Sequence, residues 1–89
     1  MVCTEKEREL AEKFLALVER TDIEPDGVCA SIIMELRKCK KLNQEMKRIR
    51  EMAEEVASLW IPYDEENREK AKGLFMELTD KLVKIADKT

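Results

Sequence analysis

The chain contains no histidine. That removes the commonest general base and the commonest nitrogen ligand of metal sites. Only two glycines and two prolines occur, so there is no Gly-rich phosphate loop and few breaks in regular structure. Aromatic residues make up 4% of the 89 residues and β-branched runs are few, which argues against sheet. No apolar run approaches the roughly 18 residues of a membrane span. The N-terminal Met-Val-Cys-Thr-Glu-Lys-Glu-Arg-Glu is acidic and lacks the basic and apolar regions of a signal peptide. An intracellular protein, cytoplasmic or nuclear, is therefore expected. The three cysteines are odd in number and lack motif spacing, which fits a reducing compartment. Cys29 and Cys39 stand ten positions apart, roughly 15 Å along one helix, so they neither bridge each other there nor form a zinc-ligand pair. Small core residues is the expected role of the cysteines, the alternative for Cys3, near the chain end, being an exposed and reactive thiol. No metal, no cofactor and no catalysis are expected.

What the chain has in abundance is charge on amphipathic helices. Charged residues are 42% of the total, against about 25% in ordinary domains, while apolar residues at 44% suffice for a core. A chain this short buries roughly 60–65% of its extended surface, so one modest domain spanning 1–89 is expected. The net charge of −3 is too small to name a partner, but its distribution is uneven. From Glu35 to Arg50 seven Lys/Arg face two Glu, a balance of +5, and from Glu51 to Glu69 seven acids face one Arg, a balance of −6.

Thr4 and Glu7 form a capping box, and Leu10, Phe14, Leu17 and Val18 follow at helical spacing, predicting a helix over about Glu5–Arg20. Glu24-Pro25-Asp26-Gly27 carries turn chemistry, although Pro25 equally suits the first position of the next helix; Ile23 is placed to plug the core there. A second helix is expected from about Asp26 to Lys41 on Cys29, Ile32, Ile33, Leu36 and Cys39. A further series runs Cys39, Leu42, Met46, Ile49, Ala53, Val56 and Trp60, three and four apart. The two series are out of phase, since continuation would make Asn43 the inward residue. Either one long helix shifts its stripe, or the chain breaks near 41–44 with Asn43 as a new N-cap, and the capping residue favours the break. Pro62 then ends this helix, and Asp64 starts a last one whose inner face is Ala71, Leu74, Phe75, Leu78, Leu82 and Ile85. Gly73 in its interior implies a close helix crossing or a tolerated defect. Lys81, Lys84 and Lys88 suit the C-terminal end of its dipole. The expected fold is all-α: a small up-down bundle of three long helices, or four if the middle one breaks.

Glu51, Glu54 and Glu55 read as a solvated face, not as catalytic carboxylates. Met34, Met46, Met52 and Met76 fit ordinary core better than an adaptable groove. The basic residues Arg37, Lys38, Lys40, Lys41, Lys47, Arg48 and Arg50 either solvate a helix face or present a surface to an acidic partner. Phosphate neutralisation by such a run is conceivable, against which stand the overall acidity and the lack of Gly, aromatic or Asn/Gln interleaving. Trp60 is either a plug at the bundle end or, if exposed beside Tyr63, a binding anchor.

The segment from Leu36-Arg37-Lys38 through Ile49-Arg50-Glu51-Met52-Ala53-Glu54-Glu55-Val56-Ala57-Ser58-Leu59-Trp60 resembles the N-terminal domain of transcription elongation factor S-II, the LW domain, a family that includes Mediator and elongin subunits. The resemblance covers residues 36–60. It implies a small four-helix bundle that binds short, acidic or partly disordered segments of transcription regulators without catalysis. The leading expectation is thus a non-catalytic protein-interaction module that receives a short partner segment in an interhelical groove, as monomer or homodimer and away from membranes. Its expected partner-binding residues are Arg37, Lys38, Lys40, Lys41, Lys47, Arg48 and Trp60. The alternatives are a nucleic-acid-associated module using 37–50 and a structural or engineered bundle scaffold.

Overall fold

The protein is described by a computed structural model over residues 7–20, 23–39, 42–62 and 64–87. Among these residues there are four α-helices and no strand: α1 Glu7–Glu19, α2 Pro25–Arg37, α3 Gln44–Trp60 and α4 Glu65–Ala86. The capping box at Thr4 and the reactive-thiol assignment of Cys3 lie outside the described residues.

Helix boundaries follow local chemistry. Pro25 occupies the first turn of α2, where its missing N–H leaves no bond unmade. The expected extension of α2 to Lys41 is corrected: the helix ends at Arg37. The Lys38 and Cys39 N–H groups turn back to the carbonyls of Glu35 and Leu36 at 3.2 Å each, the tighter i→i−3 pattern of a terminating turn. The middle stretch is accordingly two helices. Asn43 is the N-cap of α3, its side chain accepting from the Met46 N–H at 2.8 Å. Its Nδ2 also donates to Glu7 Oε1, which ties the start of α3 to the start of α1. Asp64 caps α4 by accepting from the N–H groups of Glu66 and Asn67.

Each helix contributes its stripe to a common core: Leu10, Ala11 and Phe14 from α1; Val28, Cys29, Ile32 and Leu36 from α2; Met46, Ile49, Met52, Ala53, Val56 and Trp60 from α3; Ala71, Leu78, Leu82 and Ile85 from α4. Helix α3 packs on both α2 and α4, and α1 lies against α4 and, less extensively, α2. The molecule measures 38 × 23 × 21 Å. Leu74 and Phe75 are half-buried at its edge.

Gly27 and Gly73 behave oppositely. A Cβ at Gly27 would stand 2.9 Å from Ile23 Cγ2, so this glycine lets Ile23 fold back over the first turn of α2 onto the core. Around Gly73 there is nothing within 4 Å of such a Cβ; it faces open space and no helix crosses there. Of the methionines, Met46 and Met52 are core, whereas Met34 and Met76 are exposed on two different helices. Cys29 is a buried free thiol. Cys39 departs from expectation: it is half-buried and disulfide-bonded, to a residue outside the described ones.

Candidate functional site

Where the first turns of α3 meet the last turns of α4, a cleft of about 200 Å³ opens between Glu45 and Arg48 on one side and Lys81, Lys84 and Ile85 on the other. The i, i+3 spacing of Glu45 with Arg48, and of Lys81 with Lys84, brings each pair onto one flank of its helix. Ile85 is almost wholly buried and gives the cleft an apolar base. Three cations face one carboxylate, a formal balance of 3 − 1 = +2.

The partners of these cations are unequal. Arg48 Nη1 lies 3.6 Å from Glu51 Oε2, with both side chains more than half exposed, an arrangement worth little in water. Lys81 and Lys84 are exposed and have no ion-pair partner among the described residues. By contrast Lys13, Lys38, Arg50 and Lys72 each lie beside a glutamate. The exposed Glu51 and Glu54 pair with Arg48 and Arg50, and Glu55 is exposed, as expected of a solvated face.

The residues singled out from the sequence fall into separate places. Arg48 is in the cleft. Lys47 is exposed on α3, turned about 100° away from Arg48 by the helical step. Arg37 is exposed in the last turn of α2. Lys38 reaches Glu35 Oε1 at 3.7 Å, and Lys13 of α1 reaches the same oxygen at 3.1 Å. The hydrogen bond and charge of Lys13, joined by Lys38, hold the Glu35 carboxyl below the usual carboxylate range. Lys40 and Lys41 lie outside the described residues. Trp60 stands about 18 Å from Arg48 along α3, at the other end of the molecule. It is 8% exposed; its Nε1 donates to Glu24 Oε2 at 3.3 Å, and the Arg68 guanidinium sits 4.5 Å from the ring centroid. These contacts make Trp60 a plug joining α2, α3 and α4, stacked by a cation. A wider hollow of about 340 Å³ lies beside it, lined by Trp60, Glu65, Arg68, Glu69 and Lys72.

Among the described residues no group of His, Cys, Asp and Glu is arranged to hold a metal ion, and no helix is long and apolar enough to cross a membrane. The buried Cys29 thiol is pushed up to about 12, first by burial and then by the charge of Asp26, so it is not a thiolate nucleophile at neutral pH.

No protein family, characterised protein or solved structure matches the chain.

The cleft joins residues that sequence reasoning had assigned elsewhere. Lys81 and Lys84 carry only the local signature of a helix C-terminus, and Ile85 that of a core position. The one sign available in sequence is that both lysines sit on the flank of α4 next to its apolar stripe.

Proposed function

We propose that this chain is a non-catalytic interaction module whose α3–α4 cleft receives a short acidic segment of a partner protein. The observation that carries the proposal is the convergence of Arg48, Lys81 and Lys84 from two helices over an apolar base, with both lysines lacking an ion-pair partner among the described residues. Cations already paired gain little from a new carboxylate; exposed unpaired ones gain a modest, salt-screened attraction that steers encounter and register. Arg37, Lys38, Lys40, Lys41 and Lys47 then act as a wider positive field that steers the segment toward the cleft. Trp60 contributes by holding α3 and α4 together, not by touching the partner.

The short connections between consecutive helices favour antiparallel neighbours, and an up-down arrangement is the form we propose for the bundle. A transcription-related partner belongs to this same proposal, on the resemblance of residues 36–60 to the LW domain; an intracellular setting rests on the acidic N-terminal stretch, while the Cys39 disulfide is at odds with the reducing compartment read from the cysteine count.

The test is a titration with a synthetic Asp/Glu-rich peptide followed by amide chemical shifts. Resonances of Glu45, Arg48, Lys81 and Lys84 are expected to move, and binding to weaken as salt rises toward 0.5 M, by ordinary screening. Reversal at two cleft positions, Arg48→Glu with Lys84→Glu, is expected to abolish the shifts. Shifts confined to Arg37 and Lys38, or a double variant that binds as well as the parent, would refute the cleft as the docking site. Tighter binding to a DNA or RNA duplex than to the peptide would favour the nucleic-acid alternative instead.

A further inference from the structure

The charge and donor geometry of the cleft discriminate among acidic groups. Arg48 already lies beside Glu51, and the two cations without an ion-pair partner among the described residues are Lys81 and Lys84; one dianion matches these two charges, whereas a single carboxylate leaves one of them uncompensated. Three side chains from two helices offer donors: the planar guanidinium of Arg48 and the ammonium groups of Lys81 and Lys84. A carboxylate presents two acceptor oxygens in one plane, while a phosphoryl group presents three arranged tetrahedrally and carries about −1.5 to −2 charges at neutral pH. The cleft volume of about 200 Å³ is enough for one such group with the side chain that bears it.

We propose that the cleft between α3 and α4 takes a phosphorylated serine or threonine of the partner segment, held by Arg48, Lys81 and Lys84. This rests on the cleft being the docking site for an acidic segment and specifies which anion it prefers. Arg48 supplies directional hydrogen bonds, and the two lysines supply charge.

Three synthetic peptides that differ only at a central position, bearing serine, phosphoserine or glutamate between neutral flanks, separate the possibilities by calorimetry and amide shifts. The phosphoserine peptide is expected to bind about tenfold more tightly than the glutamate peptide, and the serine peptide not measurably. The second proton of a phosphate monoester binds near pH 6, so affinity is expected to fall as pH drops from about 7.5 to about 5.5. A carboxylate partner would change little over that range. Arg48→Gln and Lys84→Gln are each expected to lower affinity, and Lys70→Gln, outside the cleft, to leave it unchanged; far-UV circular dichroism establishes that all three fold. Equal affinity for the glutamate and phosphoserine peptides would overturn the phosphoryl assignment and leave the acidic-segment proposal standing. Failure of both peptides while the Asp/Glu-rich peptide still binds would overturn the phosphoryl assignment alone; failure of all three of these would remove both proposals. Inorganic phosphate binding as tightly as the phosphopeptide would overturn recognition of a segment.

Discussion

The two glycines show how little of a residue's effect is carried by its identity. Both lie in helices and, by propensity, both cost about 1 kcal/mol relative to alanine. At Gly73 nothing opposes a methyl group, so Gly73→Ala is expected to raise stability by about 1 kcal/mol in urea unfolding. At Gly27 the added Cβ meets the branched Cγ2 of Ile23 at 2.9 Å, and Ile23 is stiff at χ1. Gly27→Ala is therefore expected to lose about 1 kcal/mol through overpacking, despite the better propensity. If both variants gain stability, the packing of Ile23 over α2 is wrong. The methionines give the same lesson without strain: Met46 and Met52 are core, Met34 and Met76 face solvent, and only the phase of each within its helix distinguishes them.

At the scale of the element, α3 is defined by its ends. Asn43 both caps it and reaches Glu7, so one side chain stops the basic connection from continuing as helix and anchors α1. Asn43→Ala is expected to cost about 1 to 2 kcal/mol in denaturant unfolding. Asn43→Ser keeps a capping acceptor but loses the donor to Glu7, and should fall between parent and alanine. An alanine variant as stable as the parent would mean that α3 is positioned by its core stripe alone. At the far end the Ile61 N–H closes the helix on the Ala57 carbonyl, and Trp60 fixes that end with Glu24 on its Nε1 and Arg68 over its face. The break between α2 and α3 was legible because a phase slip in the apolar series coincides with a good N-cap. The end of α2 at Arg37 was less so, because Lys38 is a good helix former and no Gly, Pro or capping residue marks the stop.

For the whole molecule, two titrating groups give stability opposite dependences on pH. The Glu35 carboxyl is held low by Lys13 and Lys38, so its contribution is present above the ordinary carboxylate pKa near 4.5 and is lost as pH falls through the depressed value. The Cys29 thiol is raised from 9.0 to about 12 by burial and Asp26. Below pH 9 both folded and unfolded chains hold its proton; between about 9 and 12 only the folded chain does, and stability falls as pH rises. Urea midpoints measured across pH should show both limbs. Cys29→Ala should remove the alkaline one and Glu35→Gln should blunt the acidic one. An alkaline limb that persists in Cys29→Ala would assign it to another group.

The helices, their caps and most of their buried faces could be read along the chain because they depend on interactions within a few residues: Asp64 caps α4 through N–H groups two and three positions on, and the α3 stripe repeats every three or four residues. The cleft could not be read that way. Arg48 and Lys81 are far apart in sequence and belong to stripes whose local explanations, a solvated basic run and a dipole-matched C-terminus, were each sufficient alone. They meet because apolar burial aligns α3 against α4 along their length, leaving the charged flanks of both helices to face each other at one end. Local chemistry decided what forms and where it stops; the packing of four stripes into one core decided which charges became neighbours. That juxtaposition is the basis of the function proposed for the cleft.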